Sequence, residues 1–176
     1  MGACNITLKG LDFGCKDNIG GIKNIWLADW NAAAPSVSND RYTATVKSGT
    51  TYIFKLFRIR VGNGSMTSTL NSNEQNGTSS VSTELNMKFT KLTEDGRTEV
   101  TEIQKGNLAA IVELNTGEYY GLGAEHPVTL SAGTAQTGEN ADDFAGYDVT
   151  ITDTCSVLPY LLDESLVADL PTTVEE

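Results

Sequence analysis

Histidine occurs once, cysteine three times and proline four times in 176 residues. No hydrophobic run approaches the roughly 20 residues of a membrane-spanning helix. Each shortage closes a route. A single histidine, His126, leaves one base for a Ser/His or Cys/His relay, and it precedes Pro127 in a turn between predicted strands, so a surface or packing role is expected. Cys4, Cys15 and Cys155 are odd in number and widely spaced, which suits neither a disulfide framework nor the close cysteine pairs of a zinc ribbon. A reducing compartment is the simpler inference. Together with His126 these cysteines have the ligand types for zinc, but no motif spacing supports a site, and neither metal nor cofactor is expected. The start Met1-Gly2-Ala3-Cys4 lacks the apolar stretch of a secretory leader, and the myristoylation pattern fails at Ile6, with Thr7 one place too late.

Positive charge is also scarce. Lys and Arg total 12 against 23 Asp and Glu, a net charge of −11. Tight binding to nucleic acid needs clustered cations that displace phosphate counterions, so the balance argues against that function class. Gly121-Leu122-Gly123 is followed by neither a helix pattern nor Lys-Ser/Thr, so it is neither a dinucleotide fingerprint nor a P-loop, and it reads as a bend in a strand.

What remains is a chain rich in Ser, Thr, Asn and Gly, apolar enough to bury a core and long enough for one domain. Period-2 alternation is clearest from Val81 to Leu92, where Val81, Leu85, Met87 and Phe89 share one face, and from Gly146 to Asp153, where Tyr147, Val149 and Ile151 do. In Ile22–Trp30 the pattern puts Ile22, Trp26, Ala28 and Trp30 on one face and Ile25 and Leu27 on the other, so both faces need cover. Thr50–Val61 reads as one strand with Ile53, Phe57, Ile59 and Val61 together. Leu108–Leu114, Asn115-Thr116-Gly117 and Glu118–Leu122 read as a hairpin, and Val128–Gln136 as a further strand. One helix is expected at about 95–105, with Glu94 and Asp95 at its N-terminus, Val100 and Ile103 inward, and Gly106 as its stop. Asn31–Asp40 reads as a loop. The Gly, Asn, Ser and Thr run over 62–80, with Asn63-Gly64 and Asn76-Gly77, predicts a long projecting loop or hairpin around Thr67 to Leu70.

The predicted class is therefore mainly β: an antiparallel β-sandwich or barrel over residues 1–156 with one short flanking helix, followed by a C-terminal arm over 157–176. The arm is apolar at Val157, Leu158, Leu161, Leu162, Leu166, Val167 and Leu170. It has to dock, and a neighbouring copy is mildly favoured over its own domain. Glu139, Asp142 and Asp143 resemble a calcium loop only in composition, since EF-hand spacing is missing. Trp26, Trp30, Tyr119 and Tyr120 would support a carbohydrate- or ligand-binding module if they lined an exposed groove, but strand aromatics are more often core or interface. No observation raises a hydrolase above background.

The run from Lys88 to Thr152, containing IVELNTGEYYGLG, HPVTLSAGTAQTG and AGYDVTITD, resembles the tail tube proteins of tailed bacteriophages. The opening CNITLKGLDFGCKDNIGGIKNIWLADW, with Cys15, Lys16, Asp17, Gly20 and Gly21, is similar to virion proteins from phages of Bacteroidetes. The resemblance implies a non-enzymatic structural protein, assembled in the bacterial host cytoplasm into the virion. It would form rings, typically hexameric, that stack into a tube through which DNA passes as non-specific cargo. Its partners would be copies of itself and other tail or connector proteins, with no membrane. The roughly twenty residues after Asp153 depart from the pattern, which leaves a collar or ring role open. The expected subunit-interface residues are Asn71, Glu74 and Asn76 in the polar run and Leu158, Leu161, Leu162 and Leu166 in the arm.

Overall fold

The computed structural model describes residues 8–12, 14, 16 and 18–174. In chain order the elements are β1 (Ile22–Asp29), α1 (Trp30–Ala33), β2 (Ser36–Ser38), β3 (Arg41–Thr43), β4 (Lys47–Ser48), β5 (Thr51–Tyr52), β6 (Lys55–Arg58), β7 (Gly64–Asn73), β8 (Thr78–Thr90), α2 (Glu94–Lys105), β9 (Leu108–Leu114), β10 (Tyr119–Leu122), β11 (Thr129–Gln136), β12 (Gly146–Cys155), β13 (Tyr160–Leu162) and α3 (Glu164–Val167). The fold is mainly β, as the alternation predicts. A seven-stranded sheet runs β2-β3-β13-β10-β9-β1-β6, a four-stranded sheet runs β11-β12-β8-β7, and β4 and β5 form a separate pair. Neighbours are antiparallel except β13 and β3, which are parallel.

The two larger sheets face each other across a first core. Ile25, Leu27, Val112 and Leu122 come from one sheet, Leu85, Met87, Val149 and Ile151 from the other, and Ile103 of α2 joins them. The helix forms where acidic residues, the Thr93 cap and the i, i+3 pair Val100 and Ile103 coincide. Thr93 Oγ1 accepts the Gly96 N–H at 3.1 Å, and the Tyr147 hydroxyl donates to the Thr93 carbonyl, tying the cap to β12. The β9–β10 hairpin closes where the Asn-Thr-Gly signal places it, with Gly117 at φ 89°.

A second core lies on the far side of the seven-stranded sheet: Trp26, Ala28, Ala109 and Ile111 pack there with Tyr42, Phe54, Leu56, Leu162 and Leu170. Strand β9 is therefore buried on both faces, from Leu108 through Glu113. The cover comes from the chain itself, where a neighbour was the other candidate.

The C-terminal arm supplies much of that cover and is part of the domain. β13 inserts between β10 and β3, Leu162 and Leu170 are buried, Leu166 and Val167 pack beside them, and the Pro171 carbonyl accepts the Trp26 indole N–H at 2.9 Å. The preference for docking on a neighbour is overturned for these residues. An apolar arm folds back when its own sheet offers an open slot, because intrachain contact carries no association entropy.

Other expectations shift for local reasons. A bulge at Lys23 sends Ile22 to the first core, away from Trp26 and Ala28, because two residues of β1 there oppose one step of β9. Trp30 leaves the strand: the Asp29 carboxylate accepts the Asn31 and Ala32 N–H groups and starts α1. The loop expected over 31–40 thus contains α1 and β2. Thr50–Val61 is broken after the tight β4–β5 turn, where the Ile53 N–H donates to Val46. Ile53 then joins the second core, Phe57 and Ile59 join the first, and Val61 is exposed. The run over 62–80 is a regular hairpin whose turn lies at Glu74–Gly77, not near Thr67 to Leu70. Met66 is its one contact with the first core, and the Ser, Thr and Asn around it give hydropathy little contrast to register a strand.

Gly121 is not a bend. It sits inside β10, where a Cβ would lie 2.1 Å from Cγ of the fully buried Tyr42 ring. Tyr42 cannot withdraw, because its hydroxyl donates to the Leu122 carbonyl at 3.1 Å. Gly121→Ala is expected to lower stability by about 3 kcal/mol, the upper end for overpacking a tight core. A urea titration that moves the midpoint by less than a third of that would show the Tyr42 packing to be softer than described.

Candidate functional site

The two sheets differ in what they leave open. The seven-stranded sheet is covered on both faces, and its edges are guarded: β2 is three residues long, and β6 carries Lys55 and Arg58. Short or charged edge strands resist pairing with another chain. The four-stranded sheet has neither protection. β7 is ten residues and β11 eight; neither contains a charged residue or proline. Among the described residues, each has a sheet neighbour on one side and none on the other.

The outer face of this sheet is wet and almost uniformly hydroxyl or amide. Cross-strand rows read Ser65, Asn86, Thr150, Ala132, then Thr67, Glu84, Thr152, Thr129, with Lys88 beside Asp148 and Thr134. Asn86 donates to Asp148 at 2.7 Å and to Thr150 at 3.0 Å, and the Lys88 ammonium lies 3.4 Å from Asp148. Glu84 is the remaining charge on the middle of the face. The Phe144 ring lies 6.0 Å from the Lys88 ammonium at one end of the face, and the described residues of the face hold no cluster of cations.

Beyond the end of β12 the β7–β8 hairpin continues as a two-stranded projection. Asn71, Glu74 and Asn76, expected at an interface, are exposed here, and Leu70 is 68% exposed on the same arm. The turn is held by the Asn73 side chain, which accepts the N–H groups of Gln75 and Asn76 at 3.0 and 3.1 Å. The arm residues divide: Leu158 is exposed, Leu161 and Leu166 are half-buried, and Leu162 is buried in its own second core. The hairpin and the arm residues thus do not form one cluster.

The chemical candidates do not converge. His126 is exposed. Cys4 and Cys15 lie outside the described residues, and among the described residues no group of three His, Cys, Asp or Glu could hold a metal ion. The Asp143 carboxylate accepts the Glu139 and Asn140 N–H groups, which hold it below the usual carboxylate range and make it a turn cap. Cys155 is half-buried and donates to Asp153; desolvation and that carboxylate push its thiol up to about 12, so it is not a nucleophile at neutral pH. The aromatics do not line a groove as a set. Trp26 is buried, and Trp30, half-buried, donates to the Gly123 carbonyl at 2.8 Å. Trp26 and Tyr119, 5.9 Å apart, both line a cleft of about 460 Å³, whereas Tyr120, half-buried, donates to Glu118 and lies outside it.

Two buried charges were not anticipated. Glu113, 5% exposed, accepts from Lys23 at 2.7 Å and Asn24 at 2.6 Å at that cleft. Its signal was a lone carboxylate inside the apolar run IVEL. Asp153 is buried under the sheet end, where it accepts the Gly123 N–H at 3.0 Å and the Cys155 thiol. Strand alternation places Asp153 with Ile151 and Val149, which in hindsight marks it as inward-facing.

No protein-family model matches the chain, and neither a curated protein nor a solved structure matches it.

Burial raises the Asp153 carboxyl, the Gly123 and Cys155 hydrogen bonds offsetting only part of that cost. The folded chain therefore holds this proton more tightly than the unfolded chain. The site contributes fully below the unfolded carboxylate pKa of about 3.9, and its contribution is lost as pH rises through the higher folded value. Asp153→Asn keeps an acceptor for Gly123 without the charge. It should be more stable than the parent at neutral pH, with the gap closing in acid. Parallel urea titrations at the two pH values check this, and a gap that widens in acid contradicts it.

Proposed function

We propose that this chain is a structural virion protein that assembles with itself, edge to edge through its four-stranded sheet, into closed rings that stack as the tail tube of a phage. The observation that carries the reading is the pair of long, uncharged, unguarded edges at β7 and β11, in a molecule whose other sheet edges are short or charged. Such edges offer rows of free backbone donors and acceptors to another chain.

Topology supports head-to-tail pairing. The sheet order β11-β12-β8-β7 is antiparallel throughout, so β7 and β11 run in opposite directions. A copy related by rotation about a ring axis then brings its β11 antiparallel to β7, the more stable ladder, and repetition closes a barrel. Six four-stranded sheets, the number implied by the resemblance, would make a barrel with a backbone diameter of about 48 Å, taking a strand spacing of about 4.8 Å and a tilt of about 40°. The apolar face of each sheet is held by its own first core, so the hydroxyl face would look inward. That lining has few cations, and a net charge of −11 repels phosphate, so DNA would pass without being gripped. The projecting hairpin, with Asn71, Glu74 and Asn76, would reach the adjacent ring. The same edges would serve a collar or connector ring.

Electron microscopy of the purified chain across a concentration series, with light scattering for mass, tests the reading, closed rings or hollow tubes being the expected result. Thr69 and Thr134 are exposed on the two edges. Lysine on both edges sets like charges against the approach of one edge to the other, so Thr69→Lys with Thr134→Lys should raise the protein concentration needed for assembly roughly tenfold, repeated around the ring. Thr69→Lys with Thr134→Glu should restore it. An unaffected double-lysine variant, or a strict monomer at every concentration of the parent with and without other tail proteins, would overturn edge pairing.

A further inference from the structure

We propose that Asn76 is a site of spontaneous covalent modification, in which its side-chain amide is lost through attack by the backbone nitrogen of Gly77, and that this hairpin turn thereby acquires a new charge and an altered backbone as the protein ages. The inference does not depend on the assembly reading.

The sequence contains two Asn-Gly pairs, Asn63-Gly64 and Asn76-Gly77. Glycine after asparagine leaves the next backbone nitrogen unshielded by a Cβ and the chain free to bend toward the side-chain carbonyl. The two pairs have the same local chemistry and opposite surroundings. At the first, the Asn63 N–H donates to the Arg60 carbonyl at 2.9 Å and the Asn63 carbonyl accepts the Lys88 N–H at 2.9 Å. Gly64 opens β7, and a Cβ there would be 3.1 Å from Cδ1 of Ile59. Bringing the Gly64 nitrogen onto the Asn63 amide would require the sheet to open.

At the second, Asn76 and Gly77 are both exposed at the tip of a projection beside which, among the described residues, no third strand lies. Gly77 sits at φ 62°, and a Cβ there would meet nothing within 4 Å. The Asn76 backbone N–H is held by the Asn73 side chain, but its own side-chain amide makes no hydrogen bond among the described residues. Turn tips of this kind sample other backbone angles at little cost.

The reaction needs only water. The Gly77 nitrogen loses its proton to solvent base and bonds to Cγ of Asn76, the Cγ–Nδ2 bond breaks, and ammonia leaves with the transferred proton, closing a five-membered succinimide. Water then opens the ring at either carbonyl. One opening gives aspartate. The other gives isoaspartate, in which the chain runs through the side-chain carbon and carries one extra backbone methylene. Either product adds a negative charge two residues from Glu74, and the second lengthens the turn that sets the Asn73 to Thr78 pairing.

The experiment is to incubate the folded full chain in mildly alkaline buffer and follow peptides by mass, each event adding about 1 Da. The peptide containing Asn76 should gain that mass at least about tenfold faster than the peptide containing Asn63, because the latter must first break its strand hydrogen bonds. In urea the two rates should converge. Asn76→Gln should abolish the gain at the tip and leave the slow rate at Asn63 unchanged. Equal rates in the folded protein, a faster Asn63, or no gain at Asn76 would overturn the proposal.

Discussion

Everything in this fold follows from one constraint: the central strands β1 and β9 have no wet face. Ile25, Leu27 and Val112 point one way, Trp26, Ala28 and Ile111 the other, and each set is buried. A sheet in that position needs two covers, and a chain of this length has little to spare. The first cover is the four-stranded sheet with α2. The second is assembled from the least regular parts of the molecule: the segment around Tyr42 to Leu56 and the C-terminal arm. Gly121 fits the same logic, since only glycine lets the Tyr42 ring lie flat against β10.

That division of labour leaves the four-stranded sheet with its inner face committed to the first core, its outer face solvated and, among the described residues, no strand paired with the outer edges of β7 and β11. Natural sheets commonly blunt such edges with lysine, proline or brevity. Here those devices appear on the covered sheet, at Lys55, Arg58 and the three residues of β2, and not on the open one. Selective protection of this kind is what makes the edges worth reading as an interface.

Much of the architecture was legible in the alternation of apolar residues. β8, β12, α2 and the β9–β10 hairpin lie close to where the pattern puts them, because each has one face in a core. One failure comes from weak hydrophobic contrast: β7 offers only Met66 and Leu70 among Gly, Ser, Thr and Asn, so its length and its turn at Glu74–Gly77 could not be read from hydropathy. The Lys23 bulge was equally invisible, since a bulge changes which face a residue serves without changing its type. The candidate edges were not legible at all, because strand order is set by pairing across long sequence distances. Of the residues expected at an interface, Leu162 shows the limit most clearly, as an apolar residue in a tail reads the same whether its partner is another copy or its own sheet.

The insertion of β13 also sets an order of events during synthesis. Arg41 and Leu162 come together across 121 positions, with β13 as the strand that joins the β2–β3 hairpin to β10 in the sheet. On the ribosome, β13 is the last strand to emerge, so the β2–β3 hairpin lacks its strand neighbour in the sheet until then. The second core therefore closes last. Until then that core lacks Leu162 and Leu170, which pack with Trp26 and Ile111 in the finished fold.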